Sequence, residues 1–443
     1  MTIDSLDALL AVMDAERKCF VTPSGFITIG EMRDAAWKLA GAYQFSRRSR
    51  LVLCGLSAIE LITSLIAFDG VVDSMLLLPE SFDEGTRAAL IKSAVSEWRI
   101  NSLQERPHRV GDVMATGNEG DDKPTLWILA TSGTTGVPKL IEHTLETLCR
   151  TVKRDNNRGV EFVWGLLYDP CRFAGLQVVL QALLSGSLLS IPPSGKITDH
   201  IEFFSSSRVN ALSATPSLWR KLLMSKQIGT LPLRQITLGG EIADQGILDA
   251  LKYCFPAARI THIYASTEAG SAFAVQDGRT GFPAQWLDHS SAPVMLRVSD
   301  DGHLLLRPAL LPAGEEVSSR IDTNGYLDTE DLVRVEGDRV YFLGRVSGAI
   351  NVGGNKVNPE EIENHIRKVS GVLDVRVFGK KSSMLGQIVA AEVVASTGYD
   401  VQELRRNILQ YCRSHMENWQ VPAMISFVQE LTINAAGKRE RCS

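Results

Sequence analysis

The run Leu126-Trp127-Ile128-Leu129-Ala130, followed at once by Thr131-Ser132-Gly133-Thr134-Thr135-Gly136-Val137-Pro138-Lys139, constrains this chain more than any other segment. Five consecutive apolar residues read as a buried strand. The hydroxyl-rich stretch therefore leaves a strand end, where ligands of α/β folds sit. Gly133 and Gly136 let backbone approach an anion, the hydroxyls add donors or bind a cation, and Lys139 supplies charge, a composition suited to a polyphosphate. It is not a Walker loop, which sets its lysine directly after the second glycine; here Val137 and Pro138 intervene. A polar surface loop is the competing reading of the same composition.

The rest of the chain narrows the classes. With 443 residues, 44% hydrophobic content and a formal charge of −5, it reads as an ordinary globular protein of two to four domains. Its basic residues are dispersed among acidic ones, so no nucleic-acid partner is indicated. No apolar run reaches the roughly 20 residues of a membrane span. The start Met1-Thr2-Ile3-Asp4-Ser5 lacks the basic opening of a secretory signal, so the expected location is cytoplasmic. Seven scattered cysteines and eight histidines show neither a Cys-x-x-Cys pair nor metal-ligand spacing.

Apolar strands and helical patterns alternate over residues 27–110, with strands expected at 51–54 and 75–79, and resume after 139 with a helix near 172–185 and strands near 188–191, 210–214 and 235–240. Such alternation predicts an α/β fold with mainly parallel sheets. From about 291 shorter strands follow, predicting a small antiparallel or barrel-like layer. The final hundred residues predict a separate α+β unit, its first helix opening at Pro359 with Glu360 and Glu361 in the first turn. The expected division is 1–344 and 345–443.

Further segments complete a pattern: Tyr264-Ala265-Ser266-Thr267-Glu268, Tyr326-Leu327-Asp328-Thr329-Glu330-Asp331, Gly344-Arg345, Ile350 through Glu363 with Gly353-Gly354 inside it, and Asn434-Ala435-Ala436-Gly437-Lys438. In this order they resemble the motifs of the adenylate-forming superfamily, which includes acyl-CoA and aryl-CoA synthetases, nonribosomal-peptide adenylation domains and luciferase. The resemblance implies an enzyme that joins a carboxylic acid to ATP as an acyl adenylate, releases pyrophosphate, and passes the acyl group to a thiol.

By that resemblance Thr131, Ser132, Gly133, Thr134, Thr135, Gly136 and Lys139 cradle the phosphates, and Thr267 and Glu268 hold phosphate and Mg²⁺. Tyr264 stacks on adenine with Gly239, Gly240 and Glu241 opposite, beside Ala265 and Ser266. Asp331 takes the ribose hydroxyls, Arg345 assists it, and Lys438, on a mobile C-terminal domain hinged near Ser347, bridges carboxylate and α-phosphate. Arg172, Phe173 and Ala265 fall at the acyl pocket. Arg172 suits a polar or second carboxylate group, the carboxylate being activated, or a solvent-facing role alike. Gly353 and Gly354 lie where a pantetheine arm would pass, though a tight turn before a helix explains them equally. The segment ahead of Ala182-Leu183-Leu184-Ser185-Gly186 has Arg172-Phe173, with Asp169 three residues too early to meet an α-amino group, which disfavours an amino acid.

The chain departs from the family pattern at Ala265, Glu330, Ser347, His303 and Leu145. It is also short, with about 130 residues before the phosphate loop. The leading expectation is transfer to CoA; loading of an acyl carrier protein is the alternative. A non-catalytic nucleotide-binding relative is the third, set back by the retention of Glu268 and Lys438.

Overall fold

The computed structural model describes residues 5–111, 123–131, 138–225, 227–287, 294–382, 386–434 and 436–439. The expected phosphate-loop residues Ser132, Gly133, Thr134, Thr135 and Gly136 lie outside them. Among the described residues the strands form four sheets. Two are parallel inside with antiparallel edges, as the alternating sequence predicts.

The six-stranded sheet runs His108–Arg109, Trp98–Ile100, Arg50–Cys54, Ser74–Leu78, Leu126–Thr131, Lys139–His143. The eight-stranded sheet runs Gly270–Val275, Arg259–Ser266, Gln235–Gly239, Ala211–Ala214, Val163–Gly165, Leu188–Ser190, Lys18–Thr22, Gly25–Thr28. The two share one large core. Helices Ile29–Tyr43, Ala58–Phe68 and Phe173–Ser185 pack between them with Phe20, Leu53, Leu77, Trp127 and Leu189. Helix Phe173–Ser185 is apolar on nearly all faces, which suits burial between two sheets rather than on one. Thr28 with Glu31 and Ser57 with Glu60 close reciprocal capping boxes that start the first two helices where the sequence changes from turn to periodic apolar residues.

The layer expected after 291 is a five-stranded antiparallel sheet, Phe282–Pro283, Arg339–Arg345, Leu327–Glu336, His303–Pro308, Val294–Val298. The last sheet begins at Ile350 and builds its own core with helices Pro359–Ile366 and Val401–His415.

One departure from the family pattern has a backbone explanation. Glu330, standing where the family has glycine, adopts φ +60°, a left-handed conformation that costs a side-chain-bearing residue roughly 1 kcal/mol. Its N–H donates to Asp328 Oδ1 at 2.7 Å, and a register shift between Leu332 and Val333 follows. The irregular strand turns Asp331 opposite Arg345. Glu330→Gly should therefore raise stability by up to about 1 kcal/mol, whereas Glu330→Val should lower it by at least as much. Urea titration of the three proteins checks this; equal midpoints would show that the conformation carries no strain.

Candidate active site

The site forms where the parallel-rich sheets, the antiparallel sheet and the last loop of the chain meet. Asp331 and Arg345 are register partners on adjacent strands, and Arg345 Nε donates to Asp331 Oδ1 at 2.9 Å. The Tyr264 hydroxyl donates to Asp331 Oδ2. The Tyr264 ring stacks with Phe273 and Phe342, at 5.1 and 5.0 Å between centroids, so ring and hydroxyl are both engaged. Both oxygens of Asp331 have one donor each, and a carboxylate accepts about four, which leaves room for a vicinal diol.

Thr267 and Glu268 occupy the turn between strands Arg259–Ser266 and Gly270–Val275, where Ser266 pairs with Gly270. This turn is held from behind by His143, a fully buried residue that the sequence reading did not mark. His143 Nε2 lies 2.9 Å from the Thr267 carbonyl and Nδ1 3.1 Å from Thr147 Oγ1. A carbonyl only accepts, so Nε2 carries the proton, and Nδ1 faces the Thr147 hydroxyl, which also donates to the Thr144 carbonyl 2.9 Å away. Burial pushes the imidazole down to about 4 from its ordinary 6.5. The neutral ring is thus the form the fold is built around.

Lys438 reaches this cleft from the end of the chain. Its loop is shaped by Asn434, whose Oδ1 accepts from the N–H groups of Ala436 and Lys438 at 3.0 Å each, while Asn434 N–H donates to the Lys438 carbonyl at 2.8 Å. Two contacts seat the loop on the N-terminus of helix Pro216–Met224. The Thr215 hydroxyl donates to the Gly437 carbonyl, and Glu241 accepts from Arg439 N–H at 3.0 Å and from Ser217 N–H at 2.9 Å. Gly240, at φ +79°, makes room: a Cβ there would sit 3.1 Å from Lys438 Cε. Loss of water lowers the lysine's affinity for its proton, while Glu241, Glu268 and Asp331 lie close enough to favour the ammonium and Arg345 opposes it. Lys438, Glu241, Glu268, Asp331, Arg345, Gly240 and Tyr264 are therefore brought together. Gly239 ends its strand immediately before Gly240.

Other expected residues lie elsewhere. Thr131 and Lys139 are register partners on two antiparallel strands at a sheet edge. Lys139 Nζ lies 2.5 Å from Glu316 Oε1. Ala265 pairs with Ser271 on the strands that carry the Glu268 turn. Phe173 packs 5.6 Å from the His143 ring, on the side of that turn. Arg172 instead donates to Ser81 Oγ at 3.0 Å and lies over the Phe82 ring. Gly353 and Gly354 form a two-residue hairpin turn, both with positive φ, and a Cβ at Gly354 would meet nothing within 4 Å. Ser347 sits exposed in the short turn Val346–Gly348, between Arg345 and the last sheet. Among the described residues no group of three or more His, Cys, Asp or Glu is placed to hold a metal, and no helix is long and apolar enough to cross a membrane.

A lysine carried by the C-terminal unit thus lies beside an arginine and three carboxylates in one cleft. A family model for AMP-binding enzymes matches residues 72–300, and one for the AMP-binding enzyme C-terminal domain matches residues 361–438. The chain belongs to the AMP-binding enzymes, the adenylate-forming superfamily. It is similar to a 2-succinylbenzoate–CoA ligase of Listeria innocua, 25% identical over 377 residues, which span 80% of this chain and 76% of that one. A D-alanine–D-alanyl carrier protein ligase of Staphylococcus aureus is 22% identical over 480 residues, 99% of this chain and 98% of that one. Among solved structures, the anthranilate CoA ligase AuaEII with anthranoyl-AMP matches at TM-score 0.77 and 17% identity, covering 98% of this chain and 95% of that one. The o-succinylbenzoate CoA synthetase MenE from Bacillus subtilis with OSB-AMP matches at 0.74 and 18%, covering 99% and 97%.

His143 makes stability depend on pH in a defined direction. The unfolded imidazole takes a proton near 6.5 and the native one near 4, so the contribution is fully present above 6.5 and is lost as pH falls between those values. A shift of that size corresponds to roughly 3 kcal/mol. Urea midpoints at a series of pH values should show this loss in the wild type and a shallower acid limb in His143→Gln. Parallel limbs would mean that His143 does not titrate this way.

Proposed function

We propose that this chain works as an AMP-forming acyl-CoA synthetase: it activates a carboxylic acid with ATP and transfers the acyl group to the thiol of CoA. One observation carries the reading: the Lys438 loop is seated in the cleft, which places a cation beside Glu268 and the Asp331–Arg345 pair. In the first step a carboxylate oxygen attacks the α-phosphorus of ATP, and the bond to pyrophosphate breaks with its electron pair leaving on pyrophosphate. Two anions must approach, and charge accumulates on the α-phosphate oxygens in the transition state. A fixed ammonium and guanidinium aimed there lower that barrier without reorganising water. Asp331 has free acceptor capacity for the ribose hydroxyls, and Thr131 and Lys139 supply a hydroxyl and a cation for the leaving phosphates.

Glu268 fits a magnesium ion. It is a buried carboxylate on a braced turn, and magnesium bound to nucleotide is commonly held by one or two carboxylates with the phosphates supplying other ligands. When bound, the ion neutralises phosphate charge. In the second step the thiol sulfur attacks the acyl carbonyl carbon, AMP leaves, and the thiol proton passes to solvent.

The exposed Gly353-Gly354 turn is not at the lysine in this arrangement. Lining the thiol's path with it requires residues 345–443 to turn as a body about the Val346–Gly348 segment. Asp169 Oδ1 accepts from Cys171 N–H at 2.8 Å and so closes the turn ahead of helix Phe173–Ser185. A carboxylate used this way supports an acid without an α-amino group. The alignment with the D-alanyl carrier protein ligase over 99% of the chain favours a second acceptor, the pantetheine thiol of a carrier protein.

ATP–pyrophosphate exchange over a panel containing anthranilate, 2-succinylbenzoate and D-alanine tests the first step, and thioester formation with CoA against a holo-carrier tests the second. Lys438→Ala should reduce exchange by about a hundredfold or more while still converting a supplied acyl adenylate to thioester. Exchange at the wild-type rate in that variant would overturn the lysine's role. Glu268→Gln should lose exchange with every acid and shift the magnesium dependence to higher concentration; an unchanged magnesium titration would make Glu268 structural.

A further inference from the structure

Immediately after Lys438 stands Arg439, a charged residue that no motif explains, and it is buried. Its Nη2 lies 2.5 Å from Asp374 Oδ1 and its Nη1 3.1 Å from Glu363 Oε2 and 2.6 Å from the Val375 carbonyl. The side chains of Arg439, Glu363 and Asp374 are 4%, 3% and 9% exposed. Arg367 joins them, 3.1 Å from Glu363 and 3.6 Å from Asp374. All four belong to the C-terminal unit.

Facing them across the interface is the Arg220–Asp244 ion pair of the N-terminal part. Arg367 reaches Asp244 at 3.4 Å, and Arg220 reaches Asp374 at 3.8 Å. Three arginines and three carboxylates thus close into one neutral cluster. Each half is neutral alone, one cation with one anion on one side and two with two on the other. Separating the halves leaves no unpaired charge on either face, so the cluster can form and part without the large penalty of stranding a buried ion. Arg220 lies close enough to Arg367 and Arg439 for their charges to oppose its own, so the three carboxylates are what hold the three arginines together.

Arg439 connects this cluster to the chemistry. Its N–H is bonded to Glu241 on the N-terminal part, and its side chain is anchored in the C-terminal unit. It pairs with Ile433 in an extended bridge. Lys438 lies in the turn between these two bridge partners, so an Arg439 side chain held in the C-terminal unit fixes the end of the turn that carries Lys438 into the cleft.

We propose that Arg439 is a positioning residue for adenylate formation: its anchorage on Asp374 and Glu363, registered across the interface by Asp244 and Arg220, aims Lys438 at the reacting groups. The inference rests on the activity proposed above. Arg439→Met keeps the stem and removes the anchor. It should lower the kcat of ATP–pyrophosphate exchange by about tenfold or more, with KM for ATP and acid within about threefold of wild type. Thioester formation from a supplied adenylate of the best acid in the panel should be unchanged, because that step does not require the lysine seated. Arg439→Lys should recover part of the exchange.

Removing the arginine leaves Asp374 and Glu363 with one cation fewer, which can unfold the unit. Asp244→Asn keeps an oxygen to cap helix Gln245–Cys254 while removing the charge that faces Arg367 and Arg220, and should lower exchange while leaving thioester formation intact. Wild-type exchange in folded Arg439→Met, or in both Arg439→Lys and Asp244→Asn if the methionine variant does not fold, overturns the inference. So does an equal loss in both half-reactions. Lys438→Ala assayed alongside separates the two levels: if it too exchanges normally, the activity assignment has failed; if it alone is inactive, only the positioning role has.

Discussion

The carboxylate of Glu241 is the contact on which the arrangement of the site depends. One oxygen accepts from Ser217 N–H in the first turn of helix Pro216–Met224, where backbone donors have no partner within the helix, and the other accepts from Arg439 N–H in the last loop of the chain. A negative charge at a helix N-terminus is favoured by the helix dipole, so Glu241 is stabilised where it sits whether or not the loop is present. The neighbouring Thr215 works in the same way. Its hydroxyl oxygen accepts from Leu218 N–H to cap the helix, and its proton goes to the Gly437 carbonyl. The start of one helix is thereby a seat for the loop bearing Lys438, 222 residues away in sequence.

The remaining groups are held by elements of different kinds. Asp331 and Arg345 are placed by antiparallel register, Glu268 by a hairpin turn with a buried histidine behind it, and Lys438 by a loop that touches two units. Charges set this close in partly dry surroundings need fixed positions, since both attraction and repulsion grow as water is excluded. The pairing scheme supplies that fixity. Lys139 is tied to Glu316 and Asp331 to Arg345 and Tyr264, so these charged groups hold defined positions.

Much of the fold was legible in the sequence because burial imposes patterns. The continuous apolar runs at 51–54, 75–78 and 126–130 are what strands covered on both faces require, and helix Phe173–Ser185 falls where a helix near 172–185 is expected. The site motifs were legible as spellings. What a spelling could not show is direction. Arg172 lies at the head of the helix where it was placed, yet its guanidinium turns to Ser81 and Phe82, on a loop 91 residues earlier that no local pattern links to it. His143 looked like an ordinary residue after a short strand, since its partner is a backbone carbonyl 124 residues onward. Glu330 in place of glycine was readable as a departure, but only the backbone shows that the left-handed conformation persists without glycine.

The sequence by itself determined the class of this protein: parallel-rich sheets, a distinct C-terminal unit and membership of the AMP-binding enzymes. Local physics suffices for that, because strand burial, helix capping and glycine turns are decided by residues near one another in the chain. Which charges meet was decided only by the tertiary structure. Arg439, Asp374, Glu363 and Arg367 lie on one folded unit and Asp244 and Arg220 on another, and apart from the i,i+4 pair Glu363–Arg367 their spacings follow no helix or strand period. Ion pairing is non-local and follows the packing of whole units, so it leaves no trace in a sequence until the chain is folded.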